Sequence, residues 1–72
     1  HMNNGQYIRL AESFLPDNFA IGQIRAEYKN SAHLNNQLIP QIAQEDSCFT
    51  VMLVNNDGKI YATVEFKERK QI

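Results

Sequence analysis

AIGQIRAEYK, residues 20–29, carries two hydrophobic rhythms at once. At helical spacing, Ala20, Ile21, Ile24 and Tyr28 make one apolar stripe, with Arg25 and Lys29 exposed one turn apart. At strand spacing, Ile24, Ala26 and Tyr28 alternate with Arg25 and Glu27. The helix is the preferred reading, because the stripe reaches back to Ala20. Gly22 costs such a helix about 1 kcal/mol relative to alanine. Asp17 or Asn18 supplies a side-chain oxygen for its N-terminal cap. If residues 20–29 are helical, the chain is helical up to its final third; if they are extended, they need a sheet to join.

On the N-terminal side, Tyr7, Leu10, Ala11 and Phe14 recur at helical spacing, with Arg9, Glu12 and Ser13 on the other face. Pro16 stops that helix, since the residue before a proline avoids helical dihedrals. Residues 1–6 read as a tag remnant, His1-Met2, followed by a flexible leader. On the C-terminal side, Asn30-Ser31 breaks the run, and Ser31 can cap a third helix carrying Leu34, Leu38 and Ile42 at four-residue spacing. Pro40 falls inside it, so this helix kinks, or ends near Leu38 with a new turn starting at Pro40. Glu45-Asp46-Ser47 closes the helical half.

The stretch VMLVNNDGKIYATVEF, residues 51–66, reads as a hairpin. Asp57-Gly58 suits a two-residue turn with positive φ at both central positions. That turn sets Leu53 opposite Ala62, Val51 opposite Val64 and Phe49 opposite Phe66, three apolar pairs on one face. The other face carries Cys48, Thr50, Met52 and Val54 against Tyr61, Thr63, Glu65 and Lys67. A one-residue slip would mix the faces, which burial of one face forbids. A bulged three-residue loop through Asn56, Asp57 and Gly58 is the alternative, and it needs a compensating irregularity elsewhere in the hairpin. A two-stranded hairpin is marginal in water by itself, so its apolar face must lie on the helical part. The expected fold is therefore α+β: one small domain over residues 7–67, with three short helices followed by a C-terminal antiparallel hairpin, and a polar tail over residues 68–72.

Helix, helix, helix, hairpin is a layout that resembles the winged helix-turn-helix superfamily. The corresponding pieces are AIGQIRAEYK for the second helix, NSAH for the turn, LNNQLIPQIAQ for the third helix and the hairpin for the wing. The resemblance implies a non-enzymatic nucleic-acid-binding or regulatory module whose third helix enters the DNA major groove. It would place His33, Asn35, Asn36, Gln37 and Gln41 on the reading face, where amide side chains match the adenine edge. Arg25, Lys29 and Lys59 would lie on phosphates, and Asn56 at the wing tip. About four such cationic contacts imply a log–log salt slope of roughly −3.6.

Composition sets bounds on this. The 72 residues make one domain, and a chain of that size buries only about 60% of the surface its unfolded form exposes. With 43% hydrophobic residues and a net charge of −1, the chain is not of the disordered class, nor is it strongly basic. No apolar run approaches the roughly 20 residues of a membrane span. The single cysteine, Cys48, cannot form an internal disulfide and suits a reducing, cytoplasmic setting. His33 lacks a second ligand at metal spacing, and no nucleophile–base pair or pair of convergent carboxylates stands out, so no catalytic, metal or cofactor site is expected. Thr50, Met52, Val54, Tyr61 and Thr63, on the outer hairpin face, are rather apolar for exposed positions. They support the alternative function, a protein–protein interaction domain such as a small inhibitor, an assembly factor or a domain of a larger protein. Its partner would be another protein or a second copy, paired sheet on sheet or edge on edge.

Overall fold

The structure, a computed structural model, describes residues 3–30 and 37–70. One helix, α1 (Asn4–Glu12), is followed by four strands: β1 (Ile21–Tyr28), β2 (Ile39–Glu45), β3 (Cys48–Val54) and β4 (Ile60–Glu68). All neighbours are antiparallel, and the strands lie side by side in the order β1-β4-β3-β2. The expectation of three helices and a hairpin is thereby overturned: residues 20–29 are a strand, and residues 39–45 form another where a third helix was expected. The layout behind the winged-helix resemblance is therefore not present. The turn residue Ser31 and the expected helical residues Leu34, His33, Asn35 and Asn36 lie outside the described residues.

Helix α1 begins earlier than its hydrophobic stripe. Asn3 caps it in a reciprocal box, with Gln6 N–H donating to Asn3 Oδ1 at 3.0 Å and Asn3 N–H donating to Gln6 Oε1 at 2.7 Å. The segment expected to be a leader thus contains the helix start. Replacing Asn3 by Ala should cost about 1 kcal/mol, read as a lower midpoint in urea denaturation. Tyr7 and Ala11 are buried against the sheet, and Leu10 and Phe14 pack beside them, as the stripe predicts.

The hairpin β3–β4 has the expected register: Phe49 opposite Phe66, Val51 opposite Val64, Leu53 opposite Ala62. Its loop is the bulged alternative. Asn55 N–H donates to Lys59 O at 3.0 Å and Gly58 N–H to Asn55 O at 3.0 Å, which leaves Asn56, Asp57 and Gly58 as a three-residue loop. Gly58 alone among them has positive φ, +84°. The compensating irregularity lies between Leu53 and Val54, where Val54 faces Ile60 and Tyr61 is the extra residue of a bulge. The carbonyl of Tyr61 accepts from Lys29 N–H at 2.9 Å and from Asn30 N–H at 3.3 Å. The bulge therefore anchors the end of β1.

The registers align the residues in rows across the sheet. On the helix side the rows from β2 to β1 are Gln44, Phe49, Phe66, Ile24; then Ile42, Val51, Val64, Ala26; then Pro40, Leu53, Ala62, Tyr28. The central members of these rows are the core, with Phe66, Leu53, Val51 and Val64 the largest fully buried side chains. Tyr28 meets the Tyr7 ring at 5.7 Å between centroids, and Phe19 meets Phe49 edge-on at 6.0 Å. Ile24, Ala26 and Tyr28 thus share a face by strand alternation, with Arg25 and Glu27 opposite.

Two residues that sit badly in a helix interior have specific places in the sheet. Pro40 lies on an edge strand, where a missing backbone donor is tolerated. Gly22 lies at a register irregularity of β1, where a Cβ would sit 2.8 Å from the Arg69 Cα. Between β2 and β3, Asp46 and Ser47 form a two-residue turn, with Asp46 at φ +53°, rather than the end of a helix.

Candidate interaction surface

Among the described residues α1 covers one side of the sheet, and the other side is built from alternate strand residues. Its rows from β2 to β1 are Ala43, Thr50, Glu65, Arg25; then Gln41, Met52, Thr63, Glu27; then Glu45, Cys48, Lys67, Gln23. The face divides by polarity. Toward β1 it carries charged groups of both signs, with Arg25 and Glu65 directly opposite each other. Toward β2 it carries Ala43, Met52, Gln41 and, at the far end, Ile39 beside Val54. A shallow depression of about 350 Å³ lies between Arg25, Glu27, Thr50, Thr63 and Glu65.

The residues that the sequence assigns to an interface lie on this face in part. Thr50, Met52 and Thr63 are half-buried and line the open face. Val54 (3% exposed) and Tyr61 (8%) are already buried; Tyr61 belongs to the core cluster. Burial removes these two from any contact surface. Ile39 and Ile42, which the sequence reading did not place at an interface, are 38% and 48% exposed. Together with Ile24 (43%) and Tyr28 (37%) they are the exposed large hydrophobic residues of the described chain.

The residues expected to contact nucleic acid are not gathered on one element. Arg25 is on β1, and Lys29 follows it, paired with Glu27 at 3.4 Å. Gln37 precedes β2 and Gln41 lies within it, at the opposite edge of the sheet. Asn56 and Lys59 are in the β3–β4 loop, where the Lys59 ammonium stands 5.7 Å from the Tyr61 ring centre. No reading helix carries Gln37 and Gln41.

Among the described residues, no group of three His, Cys, Asp or Glu side chains could hold a metal ion, and no helix is long and apolar enough to cross a membrane. Cys48 is half-buried at the start of β3. Compared with protein-family models, with curated proteins and with solved structures, the chain matches none.

Proposed function

We propose that this is a non-enzymatic protein–protein interaction module that docks through the uncovered face of its sheet, on the half formed by β2 and β3. The observation that carries this reading is apolar exposure on a face that no described element covers: Ile39 is 38% exposed, opposite Val54 and diagonal to Met52, on the face away from α1. A sheet with one face packed and the other bearing apolar side chains is the arrangement in which a partner commonly supplies the second layer. Nucleic acid is a poorer match as partner. The cations Arg25 and Lys29 stand next to Glu27 and Glu65, and Lys59 lies in a separate loop. Phosphate contacts need several unopposed cations on one surface. The lone cysteine supports a cytoplasmic setting.

A photo-crosslinking amino acid placed at Gln41 and expressed in cells tests the reading. The expected product is a protein adduct that persists in high salt and after nuclease treatment, and that is lost when Met52→Glu or Ile39→Glu is added. Adducts that vanish with salt or nuclease, or that ignore both substitutions, would overturn it.

A further inference from the structure

Exposed apolar groups on β2 are distributed differently from those on the other edge. On β1 the exposed Ile24 and Tyr28 both lie on the helix side, and the opposite side of that strand carries Arg25 and Glu27. On β2, Ile42 is on the helix side and Ile39 is on the other. A layer stacked on the sheet could cover one of these isoleucines but not both. A strand added alongside β2 would flank both. We infer that the occupant of this edge is a second copy of the chain, with the two β2 strands antiparallel about a two-fold axis at Ile42.

The backbone of β2 has the groups for it. A two-residue turn closes on a hydrogen-bonded pair, here Glu45 and Cys48. In an antiparallel ladder such pairs alternate with pairs whose N–H and C=O groups point away. With no register shift in β2–β3, Gln44, Ile42 and Pro40 are the residues whose backbone groups face outward. Proline has no N–H, so its place on the outward side costs β3 nothing. With the axis at Ile42, the two Ile42 residues exchange two hydrogen bonds, and each Gln44 N–H donates to the second copy's Pro40 carbonyl. The two most exposed isoleucines then meet on the helix side, a cross-strand apolar pair.

Charge favours this partner over a mixed contact with β1. The only charged residue of β2 is Glu45, at its end, so the two-fold sets it opposite Ile39 and no like charges meet. The β1 edge bears Arg25 and Glu27, with Lys29 just beyond, the usual means of guarding an edge strand. An isologous β2–β2 contact closes on itself and leaves no edge for further growth except the guarded one. The inference rests on the reading of the chain as a docking module and adds the identity of one partner.

Pairing along one seven-residue strand falls below the roughly 1,000 Å² of a stable interface, so the dimer is expected to be weak. Sedimentation equilibrium of the whole chain, from about 10 μM to about 1 mM, should therefore show a monomer–dimer equilibrium. Over the same range, amide exchange at Ile42 and Gln44 should slow with concentration, while exchange at Ile24, Ala26 and Tyr28 should not change. Ile42→Lys should raise the dissociation constant at least about tenfold, since it removes the apolar pair and opposes two ammonium groups. Ile42→Thr keeps a β-branched residue in the strand and should weaken the dimer with less risk to the fold. Ile24→Lys should leave association unchanged. Monomer at every concentration, a dimer indifferent to Ile42, or protection at the β1 edge would each overturn the inference. If dimerisation fails while the Gln41 protein adduct persists, only the second copy is wrong; if both fail, the docking reading falls with it.

Discussion

Phe66→Ala should cost the chain a quarter or more of its stability, about 3–5 kcal/mol. The Phe66 ring is fully buried, opposite Phe49 on β3 and Ile24 on β1, so it joins three of the four strands. Removing a buried phenylalanine costs about 3–5 kcal/mol, part in lost transfer energy and part in the cavity left behind. A chain of 72 residues is stable by only about 4–11 kcal/mol, at roughly 0.05–0.15 kcal/mol per residue. Among the described residues one helix can close over the space, and its buried Tyr7 and Ala11 already contribute to this core. Urea denaturation followed by circular dichroism should show the midpoint lowered by about a quarter or more, with no folded baseline if the parent lies at the low end of its range. A loss below about 1.5 kcal/mol, well under the range for a buried ring, would mean that Phe66 is not at the centre of the core.

Gly22→Ala should destabilise the chain by about 1–3 kcal/mol, the cost of forcing atoms into a packed position. The added Cβ would lie 2.8 Å from the Arg69 Cα, 3.0 Å from its nitrogen and 3.3 Å from the Glu68 carbonyl carbon. All three are backbone atoms, so no side-chain rotation relieves the contact. The β1–β4 ends must separate, and with them the 2.7 Å hydrogen bond from Arg69 N–H to Ala20 O. Thermal unfolding should show the melting temperature falling by roughly 4–8 °C per kcal/mol, and amide exchange at Arg69 should rise. The sign is what matters. In a helix the same substitution would stabilise by about 1 kcal/mol. A single melting curve therefore discriminates between the two rhythms of residues 20–29.

Those two rhythms explain how far the sequence was legible. In VMLVNNDGKIYATVEF the apolar pairs set one register and the strands pair accordingly from Phe49 to Leu53, while the loop is the three-residue alternative and the turn end is offset by a bulge. The Tyr7, Leu10, Ala11, Phe14 stripe likewise names the face that α1 turns to the sheet. In AIGQIRAEYK the helix and strand templates fit almost equally, and the decision comes from β4, about forty positions away, to which Ile21–Tyr28 pairs with one irregularity at Gly22. Propensity within the segment has no access to that partner. Three local signals did point the right way. Gly22 and Pro40 each sit badly in a helix interior, and each has a specific place in the sheet. Asn3-Asn4-Gly5-Gln6 carries the spacing of a capping box one turn before the first apolar residue.

The open face of the sheet was legible only where it belonged to the hairpin. Thr50, Met52 and Thr63 lie on that face because alternation in β3 and β4 assigns them to the side without the helix. Val54 and Tyr61 were misjudged because the bulge at Tyr61 shifts the end of β4 out of simple alternation. Ile39 and Ile42 could not be recognised as edge residues before the strand order was known. An amphipathic helix and an exposed edge strand can share one apolar spacing, and only the neighbours on either side distinguish them.

The strand order also has a consequence for synthesis. Of the elements described, β4 comes last along the chain, yet it occupies an interior position between β1 and β3. As the polypeptide leaves the ribosome, β2 and β3 can close through a two-residue turn at little entropic cost. β1 emerges well before either, and it must wait for the last-made strand before any of its ladder can form. During that wait Ile24 and Tyr28 have no sheet to lie on. The nascent chain is thus most in need of protection just before its final strand appears, and the core closes in one late step.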